Sequence, residues 1–232
     1  MARPPLYLLP GLLCDAFVFE AQRAALSDEF DVHTLDFFGF DSIESMAEFA
    51  LSRAPDKFSA CGFSMGGRVA LRMFALAPGR FERLCLLDTG PEPAAEGEAA
   101  KRQRLIEIAR LEGMGALADA WLPPMVHLAR RGDAAFLRPL RDMVGRATPD
   151  IFAGQIRALL GRPDARPILT SIQCPTLVAV GRQDEWSPVS QHEALAATIP
   201  GARLEVIEDS GHFTPVEQPE ALAAALRRWM RE

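Results

Sequence analysis

Phe58-Ser59-Ala60-Cys61-Gly62-Phe63-Ser64-Met65-Gly66-Gly67-Arg68-Val69-Ala70-Leu71 is the stretch that decides the fold. Its centre, Gly62 to Gly66, fits Gly-x-Ser-x-Gly, the pattern of a nucleophile elbow. The residues before it are apolar or small and predict a short buried strand, Phe58 to Cys61. Those from Gly67 to Leu76 have the composition of a helix. Strand, sharp turn and helix is the context that forces a serine into strained backbone angles and lifts its hydroxyl above a sheet. Glycines on either side leave room for the turn and for close packing of strand on helix.

The same grammar extends outward. Leu6-Tyr7-Leu8-Leu9 predicts a buried strand stopped by Pro10-Gly11, followed by a helix over Ala16 to Leu26. Asp31 to Asp36 predicts a second strand, and Ser42 caps the helix after the loop Phe37 to Asp41. Arg83 to Asp88 is the strand after the elbow helix. Pro175 to Gly181 and Arg203 to Ile207 are two more, separated by a helix over Val189 to Ala197. A last helix runs from Pro219 to Met230, with Trp229, Leu222, Ala225 and Leu226 on its core face. Strands that are continuously apolar and alternate with helices mean a parallel sheet covered on both faces. The expected fold is α/β, a three-layer doubly wound architecture.

Residues 92–167 read differently. They are rich in Ala, Arg and Leu, helical throughout, and broken by Pro123-Pro124, Pro139, Pro149 and Pro163. We expect this stretch to be a helical cap inserted into a core made of residues 1–91 and 168–232.

Composition narrows the function classes. A chain of 232 residues can bury a large core. A net charge of −6 without a Lys or Arg run argues against a nucleic-acid surface. No apolar stretch is long enough to span a membrane. The N-terminus, Met1-Ala2-Arg3-Pro4-Pro5 then Leu6 to Leu13, has a Pro-Gly break and no small-residue cleavage site, unlike a secretory leader. The four cysteines (Cys14, Cys61, Cys85, Cys174) are far apart, which suits a reducing, cytoplasmic setting. No His or Cys spacing suggests a metal site, and Gly62 to Gly67 lacks the lysine of a phosphate loop. The expectation is therefore a protein without cofactors, monomeric or a small homo-oligomer, whose partner is a small molecule.

Two further sites carry chemistry. Asp184 follows the strand that ends at Gly181, and His212 follows the strand that ends near Ile207. Catalytic groups in open parallel sheets gather at the carboxyl ends of strands, so Ser64, Asp184 and His212 share one edge. Their chain order is Ser…Asp…His. Asp88, at the end of the strand after the elbow helix, is a second candidate for the acid, and Glu185 adjoins the first. Asp209 reads as a turn residue, His33 as a packed and hydrogen-bonded strand residue, and His192 as a solvent-facing helix residue. His127 reads as structural rather than pocket-lining. Trp121, Met125, Trp186 and Phe213 are candidates to wall a substrate pocket.

On the motifs Leu9-Pro10-Gly11-Leu12, Gly62 to Gly67, Gly181-Arg182-Gln183-Asp184 and Ser210-Gly211-His212, the chain resembles an α/β-hydrolase of the small, capped, esterase-like kind. The likeness covers nearly the whole length. Where that family has His-Gly after its first central strand, this chain has Pro10-Gly11. The family's two leading antiparallel strands are missing, which predicts a mostly parallel sheet of about six strands. The resemblance implies oxyanion-hole donors at the backbone N–H groups of Leu12 and Met65. It implies a serine hydrolase that cleaves carboxylic esters of small, fairly apolar acyl groups through an acyl-enzyme. Enol-lactonase, thioesterase, perhydrolase and carbon–carbon bond hydrolase chemistry use the same constellation, and a receptor or acyltransferase on this scaffold is the alternative of a different class. Ser64 stands where haloalkane dehalogenases have Asp.

Overall fold

In the computed structural model, which describes residues 3–232, six strands among the described residues form one sheet. Met1 and Ala2, which open the stretch weighed above as a leader, lie outside the described residues. The strands are β1 (Pro5–Leu9), β2 (Asp31–Thr34), β3 (Phe58–Phe63), β4 (Phe81–Leu87), β5 (Thr176–Gly181) and β6 (Arg203–Ile207), in the order β2-β1-β3-β4-β5-β6. Every neighbouring pair is parallel. Every residue of β3 and β5 is buried. The edge strands β2 and β6 carry exposed Asp31, His33 and Arg203. Layered parallel sheets bury their central strands on both faces, and only the edges meet water.

Helices α1 (Glu20–Leu26), α2 (Ile43–Arg53), α3 (Met65–Leu76), α8 (Val189–Thr198), α9 (Thr214–Glu217) and α10 (Pro219–Arg231) follow or link these strands. The Ser42 hydroxyl accepts the Ser45 N–H and caps α2 as its sequence signals. The helix expected over Ala16 to Leu26 opens instead with a 3₁₀ turn at Ala16–Phe19, which the Asp15 side chain caps by accepting the Phe17 N–H. Trp229, Leu222, Ala225 and Leu226 are buried as one face of α10.

Between β4 and β5 lie α4 (Glu98–Leu111), α5 (Met114–Trp121), α6 (Ala134–Gly145) and α7 (Pro149–Leu160). Short 3₁₀ turns join them, and no strand occurs there among the described residues. Pro149 starts α7 behind its Thr148 cap, and Pro163 follows its end. Pro139 does not break the chain as expected; it sits inside α6. Its ring leaves the Ala135 carbonyl without an N–H from the next turn, and apolar burial of Leu140, Met143 and Val144 carries the helix through.

The order of strands reverses beside β1. The chain steps from β1 outward to β2, then crosses back to β3 and proceeds the other way. The loops after β1 and β3 therefore flank a crevice at the carboxyl ends of the strands, where ligands bind in such sheets.

Candidate active site

Three of the four non-glycine residues with positive φ among the described residues are Ser64 (53°), Asp88 (47°) and Asp209 (55°), one just beyond each of β3, β4 and β6. The fourth, Leu13 (58°), lies in the loop after β1. Backbone held in such regions costs about 1–3 kcal/mol per residue and persists where its surroundings dictate it. At Ser64 the surroundings are tight. A Cβ on Gly66 would lie 2.0 Å from the Leu9 carbonyl oxygen, and one on Gly62 would lie 2.4 Å from the Gly66 oxygen. Only glycine lets α3 close on β1 and β3 at this distance.

Ser64, Asp184 and His212 meet. His212 Nε2 lies 2.9 Å from Ser64 Oγ, and His212 Nδ1 lies 2.8 Å from Asp184 Oδ2. Asp184 is anchored in turn. Its Oδ1 accepts the N–H groups of Trp186 (2.8 Å) and Ser187 (2.9 Å), and its Oδ2 accepts the Ser187 hydroxyl (2.8 Å). Burial alone pushes its pKa up, but the His212 ring and the Ser187 donors outweigh that and hold it below the usual range.

Asp88, the other candidate acid, makes no hydrogen bond to the imidazole among the described residues. Its Oδ1 accepts the Gly181 N–H at 2.9 Å, and its Oδ2 has no hydrogen-bond partner among the described residues. Burial, then the charge of Asp184, pushes its pKa well up. The folded chain thus keeps a proton that the unfolded chain releases above about pH 4. Stability falls as pH rises between those two values. Asp88→Asn removes this titration, so its melting temperature should gain on the wild type, and by more at pH 8 than at pH 5. Thermal melts at the two pH values check this.

A cavity of about 440 Å³ opens on Ser64 and His212. Trp121, Met125, Trp186 and Phe213 all line it, as do Leu12 and Met65. Trp121, Met125 and Phe213 are buried, whereas Trp186 is 52% exposed at the mouth. The N–H groups of Leu12 and Met65 have no acceptor among the described residues. One belongs to the loop after β1 and the other to the first residue of α3, on the two sides of the crevice. Leu13 N–H donates to Gln155 Oε1 of α7 at 2.8 Å, and the Gln155 amide donates to the Phe37 carbonyl. This buried glutamine ties the inserted helices to the loop after β1. Its sequence signal is one polar residue among Phe152, Ala153, Ile156 and Ala158 on a buried helix face.

Glu217 is a second residue that sequence reasoning missed. Its Oε1 accepts the N–H groups of Gly211 (2.9 Å) and Phe213 (3.2 Å), on both sides of His212. Its Oε2 accepts His127 N–H at 2.7 Å, while the Met125 carbonyl takes the N–H of His212 itself. A carboxylate has acceptors for all three donors; an amide does not. Each buried N–H left unpaired costs about 1–3 kcal/mol. Glu217→Gln should therefore lower the melting temperature by about 2–4 °C per kcal/mol lost. It should also lower kcat as His212 loosens; melts and steady-state kinetics on the same preparation test both effects.

The remaining histidines are structural. His127 Nδ1 accepts Ala129 N–H and caps a 3₁₀ turn. His33 stacks on Tyr7 (4.9 Å) beside Asp31 at the exposed edge strand. His192 is buried, not solvent-facing as expected, because it shares a face of α8 with Leu195, three residues on. Its Nε2 accepts the Thr89 N–H and Nδ1 faces the Pro188 carbonyl, so the ring is neutral; burial holds its pKa down. Thr89 in turn donates to the Ser64 carbonyl at 2.7 Å. Among the described residues no cluster of His, Cys, Asp and Glu could hold a metal, and no helix is long and apolar enough to cross a membrane.

Residues 6–225 match the sequence profile of the alpha/beta hydrolase family. The chain belongs to that family. Curated relatives include the pimeloyl-(acyl-carrier protein) methyl ester esterases of Nitrosomonas europaea and Aromatoleum aromaticum. The first is 27% identical over 90% of this chain and 88% of the relative, the second 28% over 91% and 92%. Among solved structures, this hydrolase-family chain is similar to a thermophilic esterase from Thermogutta terrifontis, determined with malate bound. Identity is 32%, TM-score 0.88, and coverage 99% of this chain and 90% of the other. It is also similar to the enol-lactonase of Burkholderia xenovorans LB400, at 27% identity, TM-score 0.89, and coverage of 100% and 93%.

Proposed function

We propose that this alpha/beta hydrolase is a serine esterase that cleaves carboxylic esters of small, fairly apolar acyl groups. The observation that carries this reading is the continuous hydrogen-bonded chain Ser64–His212–Asp184 opening into a cavity beside two unpaired backbone donors. Relatives that are esterases at 27–32% identity support it. A volume of about 440 Å³ suits a small ligand.

His212 Nε2 accepts the Ser64 proton as Oγ attacks the ester carbonyl carbon. The N–H groups of Leu12 and Met65 take the oxyanion of the tetrahedral intermediate, a contribution of about 3–4 kcal/mol for each such donor. Asp184 holds the proton on His212 Nδ1 and stabilises the imidazolium. His212 then protonates the leaving alkoxide, and the ester carbon stays on Ser64 as an acyl-enzyme. Water, deprotonated by the same imidazole, releases the acid and restores Ser64. In this reading residues 92–167 are the cap over a core of 1–91 and 168–232, contributing Trp121 and Met125 to the acyl pocket. The enzyme works without a cofactor, as a monomer or small homo-oligomer, and its four free cysteines suit a cytoplasmic setting.

Hydrolysis of p-nitrophenyl esters graded from acetate to decanoate tests the proposal. Turnover peaking at the short chains is expected. Silence across the series from folded protein would overturn the esterase reading and move the substrate to a lactone or carbon–carbon bond.

A further inference from the structure

The cavity at Ser64 has a charged inner wall that the chemistry above does not use. Arg68 stands four residues after Ser64, just over one turn or about 6 Å along α3. Helical side chains lean toward the N-terminus, which here is the Ser64 end. Both residues line the cavity.

Three guanidiniums border this wall, and they are not equally satisfied. Arg162 donates to both oxygens of Glu98 and to the carbonyls of Glu92, Pro93 and Leu159. Arg102 donates to the same Glu98 carboxylate. Although burial alone pushes the Glu98 carboxyl up, Arg162 and Arg102 hold it down at about 2, so it is ionised and fully engaged. Arg68 makes one hydrogen bond, from Nη1 to the Glu92 carbonyl at 2.7 Å, and has no carboxylate partner among the described residues. Of the other acids that line the cavity, Glu92 takes the Gln191 amide, Glu185 pairs with Arg131 at 2.9 Å and Asp88 accepts the Gly181 N–H, and neither these nor Glu96 forms an ion pair with Arg68 among the described residues. Burial, then the Arg162 charge, pulls Arg68 down to about 9, which still leaves it charged at neutral pH. One carboxylate thus serves two arginines, and the third lines the cavity with a single hydrogen bond made among the described residues.

We propose that Arg68 receives a carboxylate carried by the substrate, so that the preferred esters are half-esters of short dicarboxylic acids, with the ester carbonyl at Ser64 and the free acid on Arg68. A guanidinium fork matches a carboxylate with two parallel N–H···O bonds. The middle of the acyl chain then lies against the apolar wall of Trp121 and Phe213. The proposal rests on the esterase reading and narrows it.

The test compares kcat/KM for monomethyl succinate, glutarate and adipate with methyl butanoate, pentanoate and hexanoate, in wild type, Arg68→Leu and Arg68→Lys. Wild type should favour the half-esters at least tenfold, chiefly through KM. Arg68→Leu should collapse that ratio, and Arg68→Lys should keep part of it. A wild-type ratio near one, or a ratio unchanged in folded Arg68→Leu, overturns the proposal while leaving the esterase reading in place. Calorimetric titration with glutarate needs no turnover and separates the two. Binding by wild type that Arg68→Leu loses supports the subsite even if the esterase reading fails; no binding overturns it. Inorganic phosphate binding more tightly than glutarate would make this a phosphate subsite and overturn the carboxylate assignment. If Arg68→Leu does not fold, the wild-type ratio and glutarate titration decide alone.

Discussion

Ser64→Ala is expected to lower kcat for p-nitrophenyl butyrate by about 10⁴-fold or more while the protein keeps its fold. The side chain contributes one atom to the chemistry, and that atom is the one that becomes bonded to the acyl carbon. Among the described residues Oγ makes its side-chain hydrogen bond to His212 and none to the core. The strained backbone at Ser64 is imposed by the Gly62 and Gly66 contacts and by Ser64 N–H bonding the Leu87 carbonyl at 2.9 Å. None of these needs the hydroxyl, so circular dichroism and the melting temperature should match the wild type. The residual rate should reflect the backbone donors of Leu12 and Met65 acting on bound ester. Activity within tenfold of wild type would sink the nucleophile assignment.

Asp184→Asn should cost a comparable amount, about 10⁴-fold in kcat, through a proton placed on the wrong nitrogen. The two oxygens of Asp184 are not equivalent. Oδ1 accepts two backbone N–H groups, from Trp186 and Ser187, so the carbonyl oxygen of an asparagine must occupy that position. Its NH₂ then faces His212 Nδ1, where the aspartate accepts. The imidazole responds by carrying its proton on Nε2, toward Ser64 Oγ, and can no longer take the serine proton. Because the Asp184 pKa lies below the ordinary range, its contribution to stability is complete above about pH 4 and is lost as pH falls through its folded value. Asp88→Asn is the paired control. Asp88 makes no hydrogen bond to His212 among the described residues, so its activity should stay within a few-fold of wild type. The opposite outcome, an inactive Asp88→Asn beside an active Asp184→Asn, would exchange the two acids.

The reach of sequence reading followed the range of the interactions involved. The elbow was legible because glycine and serine spacing is a local requirement of one turn. The strands were legible because a sheet buried on both faces must be written in continuous apolar runs, as β3 and β5 are. His192 was misread because a histidine among polar neighbours looks solvated until the helix face that meets the sheet is known. Pro139 was misread because the local cost of proline in a helix is outweighed here by the burial of Leu140, Met143 and Val144.

By itself the sequence determined the α/β alternation, the parallel sheet, the run of helices between β4 and β5, and the placing of Ser64, Asp184 and His212 at one edge. All of these follow from period, composition and the rule that loops at the carboxyl ends of parallel strands meet. Only the tertiary structure decided which acid meets the imidazole, since Asp88 and Asp184 both follow strands and differ in the groups their carboxylates bond. It alone showed Gln155 bonding a residue 142 positions away, Glu217 holding both sides of His212, and Arg68 without a carboxylate partner among the described residues. A hydrogen bond is settled by tenths of an ångström and by direction. That precision comes from packing between distant segments, which no local pattern in the chain records.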